Sequence, residues 1–565
     1  MSDYVRYSML ARLLVLAVML SACSTPVRHT TTPPSVATPD YVPDASYHLL
    51  MGEIATQRGD YYVAAQEYLA AARLADDIEM AQRSTEYAYQ YGFVAYFFES
   101  AVRWSELDPD NPAVHGYLGV AYLRRDNVKK AFAHFERSMP PVAERSEGDY
   151  LVLESEIAAI GGADAVVEVM QLFQKSFPSQ PGVELALAIA AVRAGDGALA
   201  LENANAVLAV EPSLQRAQIV RLRGLLLLGQ ADAALAEMRA LIAANRSIEL
   251  ELEYARLLAS SDAVDAALLY LDDMAERYGF VPEIVRLSAI INTDDGDQFG
   301  AWNDFSKLLS AGLYTNESHF YLARMSEGSR QVLPALRYYS QVRSGPLLLP
   351  AQVAIAGLLG EIGDVDAGIA HLDEVYSQFP QLGFDIWTAK AGIYSLYWRA
   401  AEAYEAYNRS LEYQPANINL MLARAAALDA MGETDLAVSA FREALALDPG
   451  NANGMNSLGY TMANRNLRLR EARKLVSKAL AQQSDNPAFL DSMGWVLFRE
   501  GDNEAALVQI ERAYAIEADP EIAAHLGEVL WTLGRDGEAN IVWALALQDS
   551  PGHMVLRETI ERHKS

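Results

Sequence analysis

From residue 45 onward the apolar residues recur at helical spacing, in blocks interrupted by short polar turns. The blocks repeat with a longer period. Leu118-Gly119, Tyr122, Ala131 and Phe135 define one unit, and Ala425, Gly432, Ala437, Phe441, Ala444 and Pro449 mark another. Gly494, Gly501, Ala506, Ile510 and Ala513 repeat the pattern, as do Gly527, Gly534, Ala539, Trp543, Ala546 and Pro551. Pro178 lies 34 residues before Pro212, Pro415 lies 34 before Pro449, and Gly119 to Gly527 is 408, twelve times 34. Each unit splits at a Gly-Asp or similar turn, as at Gly59-Asp60, Gly363-Asp364 and Gly501-Asp502. The pattern predicts antiparallel helix pairs stacked in one array. One pair cannot cover its own apolar face, so its neighbours must supply the core.

The spacing Leu-Gly-x₂-Tyr…Ala-x₃-Phe resembles the tetratricopeptide repeat (TPR), with His115 in place of the usual Trp. That resemblance implies an all-α solenoid, a right-handed superhelix of helix pairs. The 509 residues from 45 to 553 hold about fifteen such repeats. Small residues such as Gly119 with Ala131, and Gly494 with Ala506, let paired helices approach closely. The repeats are most regular over 383–553, while 45–382 holds less regular ones that are most degenerate over 146–346. Residues 554–565 are expected to be a polar C-terminal cap. The Tyr/Phe-dense stretch Tyr87–Trp104 has helical spacing and is expected in the core. Asn292–Gln298 has the look of a calcium loop but lacks Gly at its sixth position and a closing Glu, so it reads as an inter-helix turn.

The first 44 residues follow another logic. Arg6 and Arg12 precede the eight-residue apolar run Leu13–Leu20, too short to span a bilayer, which takes about 20 apolar residues. Leu20-Ser21-Ala22-Cys23 then resembles the lipobox of bacterial lipoproteins. On that resemblance residues 1–22 are a signal peptide, and Cys23, the chain's single cysteine, is the lipid attachment point. Residues 24–43 contain five Pro and seven Ser/Thr, so 23–44 is expected to be a lipidated, extended tether. Ser24 after the cysteine implies sorting to the outer membrane of a Gram-negative envelope, with the body facing the periplasm.

The formal net charge is −29, and removing residues 1–22 takes it to −30. Such a surface lacks the basic face that nucleic acid requires; it either steers basic protein partners in a salt-sensitive way or serves solubility alone. One cysteine excludes a disulfide scaffold and a Cys-based metal site. The nine histidines are scattered, and no phosphate loop, dinucleotide fingerprint or nucleophile elbow is present. The repeats consume the chain, leaving no room for a catalytic domain. No cofactor or metal is expected, and the chain reads as a binder rather than an enzyme. Concave helix positions of the regular C-terminal repeats are the candidate protein-binding groove: Asn453, Asn456, Tyr460, Asn464, Asp491, Trp495, Phe498, Arg499, Glu528 and Trp531.

Three phrases are more specific than a generic repeat: Asn456-Ser457-Leu458-Gly459-Tyr460, Leu490-Asp491-Ser492-Met493-Gly494-Trp495, and Glu521-Ile522-Ala523-Ala524-His525-Leu526-Gly527-Glu528. They resemble a proteobacterial family of TPR outer-membrane lipoproteins. The resemblance implies an adaptor that binds and activates a periplasmic carboxyl-terminal processing serine protease and presents substrates such as peptidoglycan hydrolases. The partner would supply every catalytic residue. The alternative is a TPR lipoprotein scaffold for an envelope machine such as a pilus, a secretin or an exopolysaccharide exporter.

Overall fold

The computed structural model describes residues 43–564; the signal peptide, Cys23 and most of the tether lie outside them. The described residues form 31 α-helices, fifteen antiparallel pairs followed by the single helix Met554–Lys564. The array is a TPR-type solenoid, with the repeat number the 34-residue period implied. The degenerate stretch keeps the pairing without a break, for example Ile248–Ser260 with Val264–Tyr278.

Local chemistry explains the regularity. Gly501 takes a left-handed φ of 90°, which ends the helix Pro487–Glu500. Asp502 then caps the partner helix Asn503–Ile516 by accepting the N–H of Ala505 at 3.2 Å. Such a cap is worth about 1 kcal/mol. Asp60 and Asp364 cap their helices in the same way. The turn at Asn292–Gln298 is built likewise: Gly296 is left-handed, and Asp297 accepts the N–H groups of Phe299 and Gly300.

Between paired helices the small residues permit close contact. A Cβ on Gly494 would lie 2.3 Å from Ile510 Cγ1 and 3.0 Å from the Ala506 carbonyl oxygen. Apolar side chains of both helices fill one spine; Leu490, Val496, Ala506 and Ile510 are fully buried in the C-terminal part. Tyr91, Phe93, Phe97 and Trp104 of the aromatic stretch are buried too.

The array also touches itself over a long sequence distance. Phe93, at the turn between Ile78–Gln90 and Val94–Leu107, packs against Tyr413 with ring centroids 4.9 Å apart. Tyr413 ends the helix Ala400–Tyr413 and is buried among residues of the first repeats. Early and late repeats therefore meet along a seam. Phe93→Ala removes one of its two facing rings at a cost of about 3 kcal/mol. We expect that variant to open the seam, read as a larger radius of gyration in small-angle scattering with unchanged helix content.

Candidate protein-binding groove

Five inner helices carry the groove: Ile418–Ala430, Ala452–Asn464, Pro487–Glu500, Pro520–Thr532 and Met554–Lys564. They surround a cavity of about 910 Å³. Its wall carries seven carboxylates, among them Asp429, Glu517, Glu521 and Glu558, against three arginines.

At its centre lies a buried polar cluster. His525 Nδ1 sits 3.0 and 2.9 Å from the two Asp491 oxygens. Tyr460 Oη donates to Glu521 at 2.9 Å and lies 3.4 Å from His525 Nε2. The Trp495 ring stacks on the imidazole, with centroids 4.1 Å apart. Burial alone pulls the imidazole down, but Asp491, with Glu521 and Glu528, outweighs it and raises His525 above its ordinary value. Burial, with Glu521, Asp491 and Asp429, pushes the Tyr460 phenol well up. The hydrogen bonds and ring contacts of His525, Asp491, Tyr460 and Trp495 tie successive inner helices together and fix the groove wall.

Of the ten sequence-selected positions, seven line this cavity: Asn456, Tyr460, Asn464, Asp491, Trp495, Arg499 and Glu528. Asn453 is exposed and lies away from the lining. Phe498 packs on Trp495 at 5.2 Å, and Trp531 stacks on Trp543 at 5.8 Å and lies tilted against His563 at 5.7 Å. Two polar atoms of the wall have no hydrogen-bond partner among the described residues, Asn456 Oδ1 and Trp495 Nε1. Both atoms are closed off from solvent, and a buried unpaired polar atom costs about 1–3 kcal/mol.

Sequence reasoning passed over Trp398, Arg465, Glu521, His525 and Arg562, which also line the cavity. Part of this was readable. Asp491 and His525 stand 34 residues apart, as do Glu528 and Arg562, so each pair occupies one repeat position in successive repeats. Trp398 was not, because its ring reaches His553 at 5.9 Å across several repeats. The C-terminal residues, expected to be a polar cap, form a helix that buries Leu556 and Ile560 and adds Glu558, Thr559 and Arg562 to the groove wall.

Residues 418–451 and 463–522 match models of the tetratricopeptide repeat. Those two stretches are similar to tetratricopeptide repeats. The chain is 28% identical over 537 residues to the TPR repeat-containing protein PA4667 of Pseudomonas aeruginosa, covering 91% of this chain and 90% of that protein. Among solved structures, a tetratricopeptide repeat protein from Parabacteroides merdae is 14% identical, covering 44% of this chain and 99% of its own, with a TM-score of 0.37. Yeast Tom70 is 14% identical, covering 74% and 95%, with a TM-score of 0.37. Arrays of this kind are suited to protein–protein contact.

Proposed function

We propose that this protein is a membrane-tethered adaptor whose C-terminal groove binds a periplasmic carboxyl-terminal processing protease and helps bring it together with protein substrates. The observation that carries the binding role is the 910 Å³ groove with seven carboxylates on its wall. An extended chain would lie there with its basic side chains against the carboxylates. The protease as partner rests on the resemblance of the three C-terminal phrases to TPR lipoproteins. Lipidation at Cys23 would hold the array at the outer membrane on a Thr/Pro-rich tether.

Holding enzyme and substrate on one scaffold makes their encounter intramolecular, at effective concentrations of about millimolar. The purified protein is therefore expected to raise the protease's cleavage of a cell-wall hydrolase about tenfold or more at submicromolar concentrations. The gain should fall when Glu517 and Glu558, two exposed carboxylates of the groove wall, are replaced together by Lys. An unchanged rate on adding the protein sinks the protease reading. Affinity capture of a pilus, secretin or export component instead would select the envelope-scaffold alternative.

A further inference from the structure

The seam between early and late repeats encloses a second cavity, of about 760 Å³, away from the C-terminal groove. One wall comes from the turn residues 89–95 with Arg124 and Arg125. The facing wall comes from Gln381, Phe384 and Asp385 and from residues 414–417. Tyr89, Tyr91 and Phe384 make it partly aromatic.

Its charges are unmatched. Arg124 follows the helix Pro112–Leu123, and its guanidinium lies over the rings of Tyr89 and Phe97, at 5.7 and 5.4 Å. Arg125 stacks over Phe98 at 3.6 Å. Neither guanidinium meets a carboxylate among the described residues. This does not reflect a shortage of acids, since Asp and Glu number 74 against 45 Lys and Arg. Elsewhere along the array arginines find them: Arg286 grips Glu317 through two bonds of 2.5 and 2.8 Å, and Arg442 meets Glu471 at 2.7 Å. Arg124 keeps a solvent-facing surface, yet the walls around it desolvate the guanidinium and pull it below its ordinary value. Asp385 on the opposite wall keeps a solvent-facing surface, is pushed up by partial desolvation, and has no cation beside it.

We propose that this seam pocket binds an acidic side chain of an extended peptide, with the carboxylate on the Arg124 fork and Arg125 adding to the positive field. A planar guanidinium takes a carboxylate through two parallel hydrogen bonds. Gln90 and Gln381 offer amides to the peptide main chain; Gln414 and Asn417 are already bonded to each other at 2.9 Å and hold the wall. Tyr89, Tyr91 and Phe384 cover the apolar part of the ligand. Asp385 sets the selectivity. Its negative charge repels a dianion such as a phosphate group about twice as strongly as it repels a single carboxylate. Because the two walls belong to early and late repeats, a bound peptide also bridges the seam.

The test uses the purified protein and pairs of end-blocked hexapeptides that differ only in one central glutamate or glutamine, with Tyr and Ala as the remaining residues. Titration calorimetry should give the glutamate peptides about tenfold tighter binding than their glutamine partners, the scale of one charge-assisted bidentate contact. Arg124→Gln should erase that preference, whereas Arg499→Gln in the C-terminal groove should leave it intact. Asp385→Asn should tighten glutamate-peptide binding severalfold, a gain that misfolding cannot imitate. Equal affinity for the two peptides overturns the proposal. So does a glutamate preference that survives Arg124→Gln, or weaker binding in Asp385→Asn.

Discussion

Gly494→Val is expected to remove the slow hydrogen exchange of helices Pro487–Glu500 and Asn503–Ile516 while the first repeats keep theirs. The added Cβ would fall 2.3 Å from Ile510 and 3.0 Å from the Ala506 carbonyl oxygen. Ile510 has nowhere to turn because it is fully buried, and the carbonyl belongs to the facing helix backbone. Relief requires the pair to separate. Replacing a mid-helix glycine gains at most about 1 kcal/mol in helix propensity. Overpacking costs about 1–3 kcal/mol even when side chains yield, and here part of the obstacle is backbone, so the clash wins. Gly357→Ala provides the control. Gly357 lies within the helix Leu348–Glu361 with nothing within 4 Å of its added Cβ, so that variant should be neutral or up to about 1 kcal/mol more stable. Because stability in such arrays is nearest-neighbour in character, exchange measured peptide by peptide is the right readout; a single melting temperature would blur it.

Asp491→Asn has the second large effect, and it changes the sign of a pH dependence. The raised pKa of His525 means that the fold binds its proton more tightly than the unfolded chain does. The stabilisation is complete below the unfolded value of about 6.5 and fades as pH rises through the higher folded value. Exchange in the helices lining the groove should therefore be slowest near pH 6 and quicken at alkaline pH, after correction for the intrinsic rate. Burial is already the largest single influence on His525, and without the charge and hydrogen bond of Asp491 only Glu521 and Glu528 oppose it, so the folded value is expected to fall below the unfolded one. The variant's groove should then grow more stable as pH rises through about 6.5. Near pH 6 the loss should be about 3 kcal/mol, because one partner of a buried charge pair has been removed. A variant with the parent's pH trend would show that Asp491 does not set the protonation of His525.

What the sequence made legible follows from the scale of each contact. Helix pairing is encoded within one repeat, by residues such as Gly119 and Ala131 or Gly501 and Asp502, and it was readable even where the match to the repeat pattern was weak. Contacts between successive repeats were readable in principle at 34-residue spacing, as Asp491 and His525 show. The meeting of Phe93 with Tyr413, 320 positions apart, was not readable, because it depends on small rotations accumulated over many repeats. The groove divides along the same line. Asn456, Tyr460 and Asp491 line it because their helix face turns inward. Phe498 and Trp531 have enough apolar surface to be drawn against neighbouring aromatic rings, and tertiary packing overrides the position rule.

The central claim is that the concave C-terminal groove, rather than the outer face of the array, holds the protein partner. Site-specific photocrosslinking in the native envelope tests it most directly, with a benzophenone side chain placed at Asn456 on the groove wall or at Leu545, which is exposed on the outer helix Asp536–Asp549. A crosslink from position 456 to a processing protease is expected, lost in Gly494→Val, with none from position 545. Capture of the protease from 545 with none from 456 would contradict it.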